Sequence, residues 1–197
     1  MLDKLFFWFS IPFYIPHYFL FIIFKNKYLQ GDFNQWVKVF GLQNYGKVYA
    51  FFVLIIRFRE YRTVFYYRIG GLRHFLSWYS PGMPTCFILG KKDNIAPGLI
   101  IQHGHSSRIA PERAGKHLQV WHNVTIGKNK SGGKRPIIGD NVKVMTNSLV
   151  FGDITVGDNV VIGAGTIVYK NIPSNCVVVG NPARIVKKDG IKINIVL

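Results

Sequence analysis

The second half of the chain repeats every six residues, and this period restricts the fold more than any other feature of the sequence. Counted from Ile138, six consecutive hexads begin with a β-branched aliphatic residue: Ile138, Val144, Val150, Val156, Ile162 and Val168. A period of six fits neither an amphipathic helix nor an alternating strand. It predicts a coil with three flat faces, in which each hexad supplies a short strand and a turn and its first residue points inward.

The residues between these positions are typical of tight corners. Gly139-Asp140-Asn141 and Gly157-Asp158-Asn159 are residue types that tolerate a positive φ. The phase extends towards the N-terminus, with one extra residue absorbed, through Leu89, Ile95, Ile101, Val120 and Ile126. Residues 127–136, GKNKSGGKRP, contain no core residue and are predicted as a loop ejected from the coil. We therefore predict a helical N-terminal region over 1–87, a coiled domain over 88–175 and a C-terminal extension over 176–197.

The first part of the chain has a different character. Residues 5–24 include no charged side chain, and their number matches one bilayer crossing. Pro12 and Pro16 argue against one uninterrupted helix. We expect a membrane-associated segment that lies in the bilayer plane or re-enters it, with a true span or a buried helical hairpin as alternatives. The basic, aromatic stretch from Arg57 to Arg73 is interpreted either as a contact with anionic headgroups or as a solvated helix face.

The net charge of +16, from 25 Lys and Arg against 9 Asp and Glu, points to an anionic partner. The candidates are nucleic acid, an acidic lipid surface and a phosphorylated cofactor. No nucleic-acid-binding motif accompanies the charge, so nucleic acid is not expected. An apolar fraction of 49% excludes a disordered chain, and two distant cysteines, Cys86 and Cys176, exclude a disulfide scaffold.

Several motifs resemble those of the hexapeptide-repeat acyltransferases. They are GLIIQHG at 98–104, NVTIG at 123–127, SGG at 131–133, PIIGDNV at 136–142, IGAG at 162–165 and VGNPARIV at 179–186. The resemblance is closest to the serine acetyltransferase branch and, within it, to shorter members found with bacterial surface-polysaccharide synthesis. It implies a mostly β fold, a left-handed parallel β-helix, preceded by an apolar helical region.

The resemblance also implies an activity. Members of the family transfer an acyl group from acetyl-CoA, which lies in a groove between subunits of a homotrimer. Serine acetyltransferases carry a His before the loop proline and a longer helical region ahead of the coils, whereas Arg135 precedes Pro136 here. We therefore expect an O-acetyltransferase that modifies a sugar hydroxyl of a surface polysaccharide or its precursor. Its expected location is peripheral, on the cytoplasmic face of the inner membrane of a bacterium.

Three alternatives remain open. The first is serine O-acetylation. The second is a metal enzyme of the hexapeptide carbonic anhydrase type, because His117 and His122 have the spacing of its zinc-binding coils. Such a site needs a third ligand, and His103 and His105 do not have the matching spacing, so no metal is expected. The third alternative is a trimeric scaffold without catalytic activity.

The resemblance assigns roles to individual residues. His103 matches the general base, since acyl transfer to a hydroxyl needs a proton acceptor near neutral pH, although a purely structural histidine at a corner has the same appearance. Glu112 or a backbone carbonyl could orient its ring. Asn123 is a candidate oxyanion donor or a turn-closing residue. The expected substrate contacts are His105, His122 and Arg135. The expected acetyl-CoA contacts are Thr146, Gly163, Ala164, Lys170, Arg184 and Lys187, where cations suit the phosphates.

Overall fold

The computed structural model describes residues 2–197, in which a helical part precedes a part built from short strands. The helices are α1 (Leu2–Ile23), α2 (Lys27–Val39), α3 (Lys47–Arg57), α4 (Arg59–Ile69) and α5 (His74–Ser77), with a 3-10 turn at Gly70–Arg73. The strands are β1 (Cys86–Ile88), β2 (Ile100–Ile101), β3 (Ser107–Ile109), β4 (Arg113–Ala114), β5 (Gln119–Val120), β6 (Thr125–Gly127), β7 (Ile137–Ile138), β8 (Lys143–Val144), β9 (Leu149–Phe151), β10 (Thr155–Val156), β11 (Val161–Ile162), β12 (Ile167–Val168), β13 (Cys176–Val179), β14 (Arg184–Lys188) and β15 (Ile191–Val196).

The first thirteen strands form three parallel sheets, which are the three faces of a β-helix. One face contains β1, β3, β6, β9 and β12, the second β4, β7 and β10, and the third β2, β5, β8, β11 and β13. Strands β14 and β15 extend the third face in antiparallel fashion. Ile138 pairs with Val156 and Val144 with Ile162, so equivalent residues lie eighteen positions apart. The six-residue coil predicted from the sequence is confirmed.

The inward positions of the hexads form the core of the coils. All six aliphatic residues counted from Ile138 are at most 2% exposed. The corners carry the expected asparagines, with φ of 57° at Asn141 and 56° at Asn159. The Asn141 amide donates to the Asn159 side chain at 3.0 Å, and Asn159 donates to Asn175 at 2.9 Å. This ladder of corner amides ties successive coils together.

The expectation of a mostly β fold is wrong. Among the described residues, the helices and the 3-10 turn contain more residues than the strands. The reason is the geometry of the coil, in which β1 to β12 have only two or three residues each and the corners take the rest. The fold is therefore a hexapeptide-repeat β-helix with N-terminal helices. The domain boundaries stay predictions; β1 begins at Cys86, and β13, which begins at Cys176, still pairs in parallel with β11.

Helix α1 contains both prolines without a break, so the expectation that they argue against one uninterrupted helix is wrong. Pro12 and Pro16 both lie on the exposed side of the helix. The opposite side packs on α3, with ring centroids 5.6 Å apart for Phe7 and Tyr49 and 4.7 Å apart for Phe21 and Phe51. By length and composition the stretch Leu5–Ile23 could cross a membrane, and 22% of its most apolar window is buried.

The arginines between Arg57 and Arg73 do not form one cluster open to headgroups. Arg62 is 6% exposed, and its guanidinium donates to the carbonyls of Ile55, Ile56 and Pro81. Arg68 is 1% exposed. Both interpretations of the stretch, a lipid contact or a solvated face, are therefore wrong for these two arginines, whose donors serve the interior.

A buried ion pair joins the helices to the first coil. Asp32 on α2 accepts from Arg68 Nε on α4 at 2.6 Å. The same carboxylate accepts the backbone N–H groups of Gly98 and Leu99 at 2.7 and 2.9 Å. Trp36 Nε1 donates to the Leu99 carbonyl at 2.9 Å, and Arg68 also donates to the Ile95 carbonyl at 2.8 Å. These side chains supply the hydrogen bonds that a preceding coil would otherwise make.

His17 is another buried polar residue in the helical part. Its Nε2 lies 2.8 Å from the Tyr66 hydroxyl, which itself donates to the Ser80 carbonyl at 2.6 Å. Because the Tyr66 hydroxyl has one proton, His17 Nε2 must be the donor, and Nδ1 is left without hydrogen or partner. Burial, together with the nearby Arg62 charge, lowers the pKa of His17 to about 4.

This histidine makes stability fall in acid. An unfolded His17 takes up a proton near pH 6.5, whereas the folded one does so only near pH 4. The free energy of unfolding should therefore fall by up to about 3 kcal/mol as the pH drops through that window, and stay constant in this respect above it. Urea unfolding followed by circular dichroism measures the slope. His17→Gln should flatten it, whereas the exposed control His74→Gln should not; equal slopes for all three proteins contradict the prediction.

Candidate active site

The predicted histidines meet at one corner of the coil. In the third face Ile101, Val120, Val144 and Ile162 are paired in register. Two positions further along each strand lie His103, His122, Thr146 and Ala164, which therefore form one column. The column brings together one residue predicted as catalytic, one predicted to contact the substrate and two predicted to contact the cofactor.

The first turn of this column is wider than those that follow. Seven positions separate Ile101 from Arg108 in the first coil, whereas five separate Val120 from Thr125, which pairs with Arg108. The extra residues are accommodated by positive φ at His103 and Ser106. His103 and His105 are consequently both exposed, with the His105 amide bonded to the His103 carbonyl. The widened corner presents two imidazoles to solvent.

His103 and His122 form a pair across successive coils. Their ring centroids are 6.3 Å apart in an edge-to-face arrangement. His122 is half-buried, and its Nδ1 is a buried nitrogen without a hydrogen-bond partner. The exposed imidazole of His103 therefore lies beside the His122 ring, and packing against this ring holds the His103 side chain in position. An exposed imidazole of this kind can take a proton from a hydroxyl brought to the corner.

Asn123 follows His122 and belongs to a second ladder of amides, at a different corner from Asn141 and Asn159. Its φ is 54°, and its backbone N–H donates to the His105 carbonyl at 2.7 Å. Its side-chain amide donates to Asn147 Oδ1 at 2.7 Å. One amide hydrogen is thus used in the ladder and one is left for another acceptor. The ladder supports the turn-closing interpretation, and the oxyanion role stays a prediction.

The ejected loop builds a separate cavity. Twelve positions separate Ile126 from Ile138, where six separate Val150 from Val156. Beneath the loop lies a cavity of about 420 Å³ lined by Glu112, Lys128, Gly133, Lys134, Arg135, Ile137 and Asp153. Arg135, the predicted substrate contact, lies here. Glu112 also lies here and its backbone bonds to Pro136; no hydrogen bond joins it to His103 among the described residues.

The small residues predicted to contact the cofactor are partly explained by packing. A Cβ added at Gly163 would lie 2.8 Å from Val179 Cγ1, so a larger residue there would force the Val179 side chain to shift. The Gly163 carbonyl also accepts from Ser148 and Thr166 at 2.8 and 2.6 Å. Ala164 is exposed and Thr146 half-buried on the histidine column. These two remain available to a ligand lying along the column.

The predicted phosphate-binding cations lie near the C-terminal end of the coils. Lys170, Arg184 and Lys187 are all exposed. Arg184 donates to Asn194 at 3.1 Å, and the Lys170 ammonium lies 6.0 Å from the Tyr169 ring. Lys170 and Ala183, the neighbour of Arg184, line one small crevice. The structure thus places Lys170, which follows β12, close to Arg184 on β14, at the end of the stack.

The alternative metal site does not assemble within the described part of one chain. His117 and His122 lie at different corners, because β5 runs between them. The His117 ring packs against Gly98, where an added Cβ would overlap Nδ1. No group of three His, Cys, Asp or Glu side chains close enough to hold a metal ion occurs in residues 2–197 with described side chains.

Sequence reasoning missed the residues that fix the first coil. Asp32, Trp36 and Arg68 set the position of Leu99 and hence of the strand that carries His103. The available signal was compositional, since Asp32 is one of only three acidic residues before position 88. A lone acid in an apolar helical region is usually paired, because an unpaired buried charge is costly.

Comparison with known proteins supports the resemblance predicted from the motifs. Residues 135–170 match the family described as bacterial transferase hexapeptide (six repeats). Serine acetyltransferase from Staphylococcus xylosus is 43% identical over 98 residues, which are 48% of this chain and 45% of that protein. Serine acetyltransferase from Synechococcus elongatus is 36% identical over 103 residues, 51% of this chain and 42% of that protein. The chain spans about half the length of these relatives.

Solved structures show the same fold. Serine acetyltransferase from Brucella abortus superposes with a TM-score of 0.60 at 21% identity, covering 82% of this chain and 68% of that one. The enzyme from Neisseria gonorrhoeae gives 0.61 at 23% identity, covering 83% and 66%. A serine acetyltransferase solved in complex with CoA gives 0.57 at 19% identity, covering 79% and 67%. The predicted hexapeptide-repeat, serine acetyltransferase-like resemblance is confirmed.

The expectation of a sugar hydroxyl on a surface polysaccharide is wrong. The relatives and the structure neighbours are named serine acetyltransferases. The expectation rested partly on the helical region, taken as too short for that branch. Yet the neighbours cover more than four-fifths of this chain, which the coils and the C-terminal hairpin alone cannot account for. The helices therefore belong to the shared fold and do not argue against a serine acetyltransferase.

Proposed function

We propose that this chain, a hexapeptide-repeat transferase with serine acetyltransferase relatives, transfers the acetyl group of acetyl-CoA to the side-chain hydroxyl of serine. The observation that carries the proposal is the exposed His103 at the widened corner. A serine acetyltransferase is 43% identical to this chain over 98 residues, which also supports the proposal. An exposed imidazole at a corner fits proton transfer better than a structural role, since it makes no side-chain hydrogen bond within the described residues.

His103 acts as general base and then as general acid. It takes the proton of the serine hydroxyl while the oxygen forms its bond to the thioester carbonyl carbon. When the carbon–sulfur bond breaks, the imidazolium returns that proton to the leaving sulfur, so CoA leaves as the free thiol. His122 supports the ring of His103 from the next coil. His105 and Asn123 border the same corner and are proposed to contact the reacting groups.

The cationic loop suits an amino-acid acceptor. Lys128, Lys134 and Arg135 line the loop cavity, and only Lys134 has an ion-pair partner in the described residues, Asp153 at 2.9 Å. Serine carries a carboxylate that a guanidinium binds with two parallel hydrogen bonds. We therefore propose that Arg135 contacts the acceptor carboxylate. Because the loop cavity and the histidine corner of one chain are separate, this contact requires that the loop of one copy meets the histidine corner of another.

The donor and the assembly follow the same reasoning. Thr146 and Ala164 continue the histidine column, and Lys170, Arg184 and Lys187 supply positive charge beyond it. We propose that acetyl-CoA lies along this surface with its thioester near His103 and its phosphates near the cations. The surface is open on one side in a single chain. A homotrimer of left-handed coils, in which a second copy closes the groove, is the proposed active form.

An acceptor assay tests the proposed function. Purified full-length protein with acetyl-CoA and L-serine should release CoA thiol and form O-acetylserine, as measured by thiol titration and mass spectrometry. Alanine and O-methylserine keep the amino-acid backbone without the reactive hydroxyl, so they should give only the rate seen without acceptor. Serine turnover no faster than that background, in protein that still binds CoA, would show that serine is not the acceptor.

A further inference from the structure

The outward side of α1 is apolar over the described side chains from Leu5 to Ile23. From residue 5 to residue 23 eleven positions are exposed, and none has a polar side chain: Leu5, Phe6, Trp8, Phe9, Pro12, Phe13, Ile15, Pro16, Phe19, Ile22 and Ile23. We call these eleven residues the outer face. Phe6, Phe9 and Phe13 are 71%, 75% and 67% exposed. A helix on the surface of a water-soluble protein shows the opposite arrangement, so the outer face is built for apolar surroundings.

Two polar side chains of the same helix, Tyr14 and His17, point inward. The Tyr14 hydroxyl accepts from Ser80 Oγ at 3.0 Å, and His17 bonds to Tyr66. Tyr79 donates to the Phe13 carbonyl at 3.0 Å and places its neighbour Trp78, 79% exposed, beside the outer face. Exposed Trp8 and Trp78 thus lie on one surface, and tryptophan is the side chain enriched where a bilayer meets water.

Positive charges border the outer face. The Arg57 guanidinium lies 5.9 Å from the Phe7 ring, and Arg57 shares a cavity with Phe6. Exposed Lys25 and Lys27 follow the C-terminal end of α1. Residues 1–87 contain ten Lys and Arg against three Asp and Glu. Since basic residues are attracted to an anionic leaflet, this border favours acidic lipid.

The two prolines favour an interfacial position over a dry protein contact. Pro12 and Pro16 have no N–H, so the carbonyls of Trp8 and Pro12 lose their helical donors on the exposed side. Headgroup water can hydrate these carbonyls, whereas a second copy packed on the outer face would bury them unpaired. A crossing helix is excluded by the packing of α1 on α3, whose charged ends, Lys47 and Arg57, are both exposed.

We propose that the outer face docks this protein in the plane of an anionic lipid bilayer. The helix inserts its aromatic side to the depth of the headgroup boundary, and Arg57, Lys25 and Lys27 contact the acidic headgroups. The coils, joined to the helices through Asp32 and Arg68, are held outside the bilayer. Docking does not depend on the proposed acetyl transfer, because no residue of the outer face belongs to the histidine corner.

Vesicle flotation of the full-length protein, transferred from mild detergent, tests the proposal. Binding to phosphatidylcholine vesicles that contain phosphatidylglycerol should be several-fold tighter than binding to phosphatidylcholine alone. The double variant Phe9→Gln/Phe19→Gln should bind at least about tenfold more weakly to both, because two exposed phenylalanines lose their transfer into lipid. Arg57→Gln should weaken binding about fivefold to the acidic vesicles only. The matched control Ile191→Gln/Ile195→Gln alters two exposed isoleucines on β15 and should bind as the wild type does.

Two results overturn the proposal. The first is equal flotation of the wild type and the Phe9→Gln/Phe19→Gln variant, with circular dichroism showing that both are folded. The second is a wild type that does not float and that forms larger particles in detergent-free buffer, as measured by light scattering, when the double variant forms smaller ones. That second result would show that the outer face binds a second copy of this chain and not a bilayer.

Discussion

His103→Ala should reduce acetyl transfer by about 10²–10⁴-fold, the usual loss when a general base is removed. Binding of CoA, measured by calorimetry, should change little, because the proposed phosphate contacts lie at the other end of the stack. Steady-state assays of thiol release measure the loss of turnover.

The neighbouring histidines provide matched controls for this loss. His105→Ala removes an imidazole two positions away at the same exposed corner. His122→Ala removes the ring 6.3 Å from His103. Both should cost less activity than His103→Ala. An unchanged kcat in His103→Ala would show that His103 is not the general base, and His122 would be the next candidate.

Asp32→Asn should lower the free energy of unfolding by about 3–5 kcal/mol, because it leaves the Arg68 charge buried without its partner. Asparagine has nearly the same shape, so the loss reports charge and hydrogen bonding rather than a cavity. Urea unfolding followed by circular dichroism gives the value. Gly98 and Leu99 also lose a charged acceptor, so the first coil should open before the others. Hydrogen exchange at these two amides should accelerate more than exchange at Val144.

A surface ion pair is the control for this loss. Asp153 pairs with Lys134 at 2.9 Å, with both side chains mostly exposed. Asp153→Asn should leave stability unchanged within error, because exposed pairs contribute little. The double variant Asp32→Leu/Arg68→Met should be less destabilised than Asp32→Asn, since it removes both charges. Equal stability of Asp32→Asn and the wild type would mean that the pair does not support the first coil.

The coils were predictable because their signal is local and periodic. Each inward aliphatic residue makes the same contact with its equivalent one turn away, so six residues suffice to set the pattern. The corner asparagines follow from the same logic, since a positive φ selects among few residue types. The sequence also contains one residue more than the period allows between Ile101 and Val120. The widened corner that presents His103 lies in this coil.

The rest of the molecule depends on contacts that no period encodes. Asp32 meets Gly98 across 66 positions, and His17 meets Tyr66 across 49. Neither contact can be inferred from a repeated spacing in the sequence. The interpretation of Arg62 and Arg68 failed for the same reason, since an arginine whose donors serve buried carbonyls looks the same in sequence as one that faces solvent. The acceptor prediction failed because single residues such as Arg135 carry less information than the coil half as a whole.

The two ends of the β-helix limit how copies of this chain can associate. A stack of parallel strands with bare ends could grow without limit, because each end offers unpaired N–H and C=O groups to another copy. Here the antiparallel pair β14 and β15 covers one end of the third face. At the other end, Trp36 and Asp32 form hydrogen bonds with Leu99, directly before its first strand, β2. End-to-end polymerisation into fibres is therefore blocked along this face, and the sides of the prism are left as the surfaces through which a finite assembly can form.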